Sequence, residues 1–96
     1  MYAVVRRYSG GSAPKFVSEL EVRDAEVREL MTTVPGFLAY YMVKDAEGGF
    51  SVTVCQDREG TLESTRRATQ WVKENLASVA VEPDVVEGET IFHFVH

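Results

Sequence analysis

Cysteine is nearly missing from this sequence. Cys55 is the one thiol in 96 residues, so no disulfide can close within the chain. A reducing, cytoplasmic setting is the expectation. Basic charge is also short. Ten Lys and Arg face fifteen Asp and Glu, for a net charge of −5, and that removes the basic stripe nucleic-acid binding needs. The doublets Arg6-Arg7 and Arg66-Arg67 do not restore one, because acids surround the second. Long apolar runs are lacking too. The opening MYAVVRRY has no charged stretch ahead of an apolar one, and its apolar run is far too short for a signal peptide or a membrane-spanning helix. No membrane partner is expected. With two histidines and no ligand-spaced cluster, no metal site is expected. Gly10-Gly11 lacks both the GxGxxG spacing and a P-loop lysine–serine pair, so no phosphate loop and no cofactor follow from it.

What is present suits a single globular domain over residues 1–96. Hydrophobic residues make up 45% and charged residues 26%, and no low-complexity tract interrupts them. Tyr2 to Tyr8 is β-rich without breakers and reads as a strand. Ser9-Gly10-Gly11-Ser12 stops it. A helix is expected from about Pro14 to Thr33, with Ser12 as N-cap and Pro35 ending it. Phe16, Leu20, Val27, Leu30, Met31 and Val34 gather on one stripe of that helix. Arg23 falls near the middle of the same stripe. It is either an arginine snorkelling along the core edge or a guanidinium aimed into a pocket under the helix.

Pro35 to Gly60 is the most informative stretch. Phe37–Lys44 and Phe50–Asp57 read as two strands, and Asp45-Ala46-Glu47-Gly48-Gly49 supplies the positions a tight hairpin needs. In the second strand the rows differ. Phe50, Val52 and Val54 are large, whereas Ser51, Thr53 and Cys55 are small and partly polar. A second helix, about Thr61 to Ala77, follows, capped by Thr61, Asp57 or Gly60. Its inward face is Leu62, Thr65, Thr69, Val72 and Leu76. Trp71 lies off that face, as an edge packer or an interface anchor. Residues Ser78 to Pro83 read as an irregular connection, Val85 to Glu87 as the start of another pairing that Gly88 interrupts, and Glu89 to Val95 as the last strand.

The order is β-α-β-β-α-β, the ferredoxin-like α+β pattern: a four-stranded antiparallel sheet with two helices on one face. Tyr2 and Val4, Leu38, Tyr40 and Met42, Phe50, Val52 and Val54, and Phe92 and Phe94 cannot all fit under two helices beside the opposite rows. The uncovered sheet face is therefore apolar, and a second copy is the simplest cover. The expectation is a homodimer, a dimeric α/β barrel, with Val52, Val54, Trp71 and Phe92 as interface candidates. On the helix side, Arg7, Ser51, Thr53 and Cys55 are expected to share one face. Small polar residues there either leave room for a small aromatic or anionic ligand or let a helix pack close. Tyr40 and Tyr41 point to opposite faces, and Tyr41 is placed on the pocket side. His93 is either a core or interface histidine or the base that Cys55 would need as a nucleophile. Arg7, Arg23, Tyr41, Thr53, Cys55 and His93 are thus the candidate pocket residues, without an assigned catalytic role.

The topology, the length, Pro35-Gly36-Phe37 after the first helix and the acidic turn before the second resemble the dimeric α/β-barrel superfamily. More narrowly, the chain is similar to the antibiotic biosynthesis monooxygenase-like domains, over about residues 2 to 95. Gly48-Gly49-Phe50-Ser51-Val52-Thr53-Val54 and the run Trp71 to Leu76 are similar to small members of that superfamily with no established activity. The resemblance implies a pocket between helices and sheet and cofactor-independent oxidation of a small aromatic substrate, or, in one branch, haem degradation. A non-catalytic ligand-binding or stress-associated module is the alternative. The haem-degrading branch uses an asparagine on the first strand, a tryptophan at the end of the third and a histidine on the second helix. Here those positions fall near Arg7 and Cys55, and the second helix has no histidine.

Overall fold

Two glycines shape the hairpin on which the sheet is built. In a computed structural model describing all residues from Met1 to His96, strand β2 is Phe37–Asp45 and strand β3 is Gly48–Cys55. They pair antiparallel from Asp45↔Gly48 to Phe37↔Cys55. Gly48 has φ +143°, which side-chain-bearing residues rarely adopt. The Asp45 carboxylate accepts the Glu47 N–H at 3.0 Å and closes the turn. A bulge between Phe37 and Ala39 shifts the pairing of β2 by one residue.

The other elements are β1 (Tyr2–Ser9), α1 (Ala13–Glu21), α2 (Asp24–Thr32), α3 (Arg58–Asn75) and β4 (Asp84–Glu89). The sheet order is β2-β3-β1-β4 and every pairing is antiparallel. This is the α+β ferredoxin-like fold expected from the sequence. All helices lie on one face, with α2 over β2 and α3 over β3 and β1. Tyr8, Ala13, Phe16, Val17, Leu76 and Val79 form the buried cluster between the layers, with the Tyr8 and Phe16 ring centroids 4.8 Å apart.

Two expectations about the elements are corrected. The long first helix is broken at Val22-Arg23 into α1 and α2. A continuous helix would carry Arg23 into the apolar stripe. The break instead leaves it at the start of α2, pairing with Glu26 at 3.5 Å and lying over the Trp71 ring. Asp24 and Glu26 then sit in the first turn of α2, where negative charge is favourable. The last strand is Asp84–Glu89 rather than Glu89–Val95, and Gly88 lies inside it, opposite Ala3. Glu89 already pairs with Tyr2 at the start of β1. Beyond it β1 offers no further partner except Met1, whose carbonyl takes the Thr90 N–H. The alternating segment after Thr90 therefore stays unpaired, with Ile91, Phe92, Phe94 and Val95 exposed.

Candidate functional site

Side chains alternate across β1, and the inward row is Val4, Arg6 and Tyr8. Val4 and Tyr8 belong to the core, so Arg6 is carried into it and is only 1% exposed. Facing strand β3 sends Ser51, Thr53 and Cys55 to the same side, all buried. Above them α3 turns Thr61, Ser64 and Thr65 toward the sheet, since positions three and four apart share a helix face. The result is a guanidinium held by hydroxyls. Its Nε donates to Ser51 Oγ at 3.2 Å, Nη1 to Ser64 Oγ at 3.2 Å and Thr65 Oγ1 at 2.8 Å, and Nη2 to Thr53 Oγ1 at 2.5 Å. Arg6 takes part in none of the ion pairs of the chain. A buried cation surrounded by neutral partners is costly to maintain.

Tyr8 and Tyr40 flank this group. Burial holds both phenols above the ordinary value of 10.0, against the pull of the Arg6 charge, so both are protonated hydrogen-bond donors near neutrality. A small void of about 20 Å³ lies among Arg6, Tyr8, Tyr40, Met31 and Trp71. Two larger clefts open on either side of it. One, of about 610 Å³, runs between α1–α2 and the edge strand β2 and is lined by Leu20, Val27, Met31, Phe37, Tyr40 and Met42 among others. The other, of about 470 Å³, lies between α3 and β1, under residues 77–83, with Arg6, Tyr8, Thr65, Val72, Lys73 and Val81 in its walls.

The residues singled out from sequence are dispersed. Thr53 and Cys55 lie in the buried row beneath α3. Burial, then the negative charge of Asp57, pushes the Cys55 thiol up, so it is not poised as a nucleophile. Arg7 turns to the outer face of the sheet, where it pairs with Asp45 and Glu47 and lies over the Phe50 ring. The arginine of the interior is its neighbour Arg6. The register running unbroken from the hairpin turn sets Tyr41 opposite Val52 on the outer face, 57% exposed, so it meets the groove from outside. Arg23 caps α2 beside Trp71 and does not enter the interior. His93 lies in the exposed segment after β4, away from Cys55 and the helix–sheet interior. Of the interface candidates, Val52 and Val54 are on the outer sheet face, Phe92 is in the exposed terminal segment, and Trp71 packs within the helical layer. Arg6, Ser64, Tyr8 and Tyr40 were not singled out as pocket residues. One signal for them was available: hydroxyls on both the small row of β3 and the inward face of α3 leave a polar gap that a long side chain such as Arg6 can bridge.

No family model and no curated protein sequence matches this chain. Solved structures do. A haem degrader, MhuD of Mycobacterium tuberculosis, with two haems bound in its active site, superposes with a TM-score of 0.70 at 19% identity, over 99% of this chain and 100% of that one. The monooxygenase ActVA-Orf6 of Streptomyces coelicolor, in complex with nanaomycin D, gives 0.62 at 19% identity, over 99% and 90%. A dimeric ferredoxin-like protein from an uncultured marine organism gives 0.67 at 13% identity, over 99% and 96%. The chain thus has the fold of the antibiotic biosynthesis monooxygenase-like, dimeric α+β-barrel structures. The interior offers a haem iron neither a histidine nor a thiolate. Helix α3 carries no histidine, both histidines lie beyond β4, and the Cys55 thiol is buried and held protonated. No cluster of three or more His, Cys, Asp or Glu is placed to hold a metal ion, and no helix is long and apolar enough to cross a membrane.

Proposed function

We propose that the chain forms a homodimer in which each protomer binds a small aromatic molecule on the helix side of its sheet. The groove between α1–α2 and β2 carries this reading. Its volume of about 610 Å³ and its lining, nine hydrophobic residues among fourteen, suit a ligand of one or two rings. Phe37 and Tyr40 offer ring faces, and the protonated Tyr40 phenol, which donates only to the weak acceptor Met42 Sδ at 3.9 Å, can turn to a carbonyl or phenol oxygen instead. The homodimer rests on the outer sheet face, where Val5, Tyr41, Val43, Phe50, Val52 and Val86 form adjoining apolar rows. A single-copy protein rarely leaves such a face bare.

The similarity in fold to a monooxygenase crystallised with nanaomycin D favours a second reading, cofactor-independent oxygenation of an electron-rich aromatic in the same groove. Isothermal titration with a panel of quinols, anthrones and naphthoquinones tests binding, and oxygen uptake with the same panel separates turnover from binding alone. Saturable binding without oxygen consumption supports the non-catalytic reading. No binding by any member of the panel overturns both. A dimer in sedimentation at micromolar concentration is expected, and a stable monomer contradicts the assembly.

A further inference from the structure

The second cleft, on the opposite flank of α3, has a different chemistry. Its polar lining combines two cations, Arg6 and Lys73, with the hydroxyls of Tyr8, Thr65 and Thr69. The guanidinium of Arg6 is bonded to Ser51, Ser64, Thr65 and Thr53 and also faces the Tyr8 phenol, but it meets no carboxylate, so its charge is solvated by neutral groups alone. Those hydroxyls accept from Arg6 and must send their own protons elsewhere. Ser64 gives its proton to the Thr61 carbonyl at 2.7 Å. Ser51 lies against the Tyr8 and Tyr40 phenols, whereas Thr65, in the wall of the cleft, accepts from Arg6 and has its own proton to give. The Tyr8 phenol is protonated and adds a further donor. Charge points the same way: Arg6 and Lys73 both line the cleft, against Glu82 as the one acid in the lining. The remaining walls are apolar, with Val72, Val81 and Pro83. A buried cation with no counter-charge, beside the Thr65 hydroxyl, calls for an anionic acceptor, and the apolar walls call for a carbon body behind it.

We infer that this cleft is a binding site for a small organic carboxylate. The carboxylate accepts from Thr65 and Tyr8 beside the Arg6 charge, and its hydrocarbon part lies against Val72 and Val81. Because four hydroxyls and the Tyr8 phenol already surround the guanidinium, recognition is by its charge rather than by a two-pronged fork. That favours a singly charged head group over phosphate. The inference is independent of the groove beside β2, which shares no lining residue with this cleft.

The test is amide NMR titration of the intact protein with benzoate, with benzyl alcohol as the uncharged analogue and inorganic phosphate as the anion without a carbon body. Benzoate is expected to shift signals of Thr65, Thr69, Lys73 and Val81 saturably, at least ten-fold more tightly than benzyl alcohol or phosphate. Thr65→Val should weaken it at least three-fold and Arg6→Met should abolish it. Where Arg6→Met does not give a dispersed, folded spectrum, Thr65→Val and Lys73→Ala carry the test. Equal affinity for benzyl alcohol would make the cleft merely apolar and overturn the inference. Phosphate binding as tight as benzoate, undiminished affinity in Thr65→Val, or shifts confined to Val27, Tyr40 and Met42 in the other groove would each overturn it too.

Discussion

Arg6 and Arg7 are adjacent in β1 and meet opposite solutions to the same problem. Arg7 lies on the outer face, partly exposed, with Asp45 and Glu47 as counter-charges and the Phe50 ring beneath it. Arg6 lies on the inner face with four neutral hydroxyls and no carboxylate. The outer face is otherwise apolar and tolerates a charge only where an acidic turn reaches it. The inner face is built polar at its centre, with small side chains on β3 and α3 meeting one long one. A stability-driven interior would place an aliphatic residue at position 6, since buried charges seldom repay their desolvation. The contrast therefore separates an arginine that balances the surface from one that makes the interior receptive to an anion.

Breaking the inner arrangement should have the largest effect. Arg6→Ala leaves Ser51, Thr53 and Thr65 without their partner and opens a cavity, with an expected loss of about 3–5 kcal/mol by urea denaturation. Arg7→Ala should leave the denaturation midpoint nearly unchanged. Equal losses at the two positions would erase the comparison. Val52→Asp places a charge in the middle of the outer face. Sedimentation should then show monomer where the parent is a dimer, while Thr53→Val, one position along on the inner face, should leave the dimer intact. Next in size is Gly60→Ala. A methyl group there would lie 2.7 Å from Cys55 Cβ and 2.9 Å from the Pro35 carbonyl, so the start of α3 must lift from the sheet, at about 1–3 kcal/mol.

The smallest effect expected is on pH dependence, and it distinguishes exposed charges from the inner cluster. Arg66 and Arg67 hold Glu63 at about 2, from an ordinary 4.5. Hydrogen bonding from Arg7 lowers Asp45 as well. Both carboxyl groups are depressed in the folded state, so their contribution is complete above the ordinary carboxylate range and is lost as pH falls through the folded values. Glu63→Gln should flatten the acid limb of a thermal-stability profile between pH 4.5 and 2, slightly, because the pair is exposed. Thr65→Val should leave the shape of that limb unchanged, since hydroxyls do not titrate there.

The hairpin, the element order and the two unlike rows of β3 were legible because glycine placement and period-two alternation report directly on backbone geometry. The partner row on β2 was not, because which of Tyr40 and Tyr41 faces inward depends on where the turn falls, and the strands run on to Asp45 and Gly48, which sets Tyr41 opposite Val52. The facing of β1 was ambiguous for a similar reason. Tyr2, Val4 and Tyr8 compete with Ala3 and Val5, and each row carries one arginine. The larger row goes inward and takes Arg6 with it. The terminal segment misled because alternation describes side chains, whereas a strand also needs a neighbour, and β1 ends at Tyr2.

The side-chain Nε–H signals of Arg6 and Arg7 in a nitrogen-15 NMR spectrum test the central claim most directly. Arg6 Nε–H, bonded to Ser51 in the interior, should exchange with solvent far more slowly than that of Arg7 and should shift on addition of benzoate but not of benzyl alcohol. If the two arginines exchange alike, or the Arg6 signal is indifferent to benzoate, the interior is not the anion-receptive site described here.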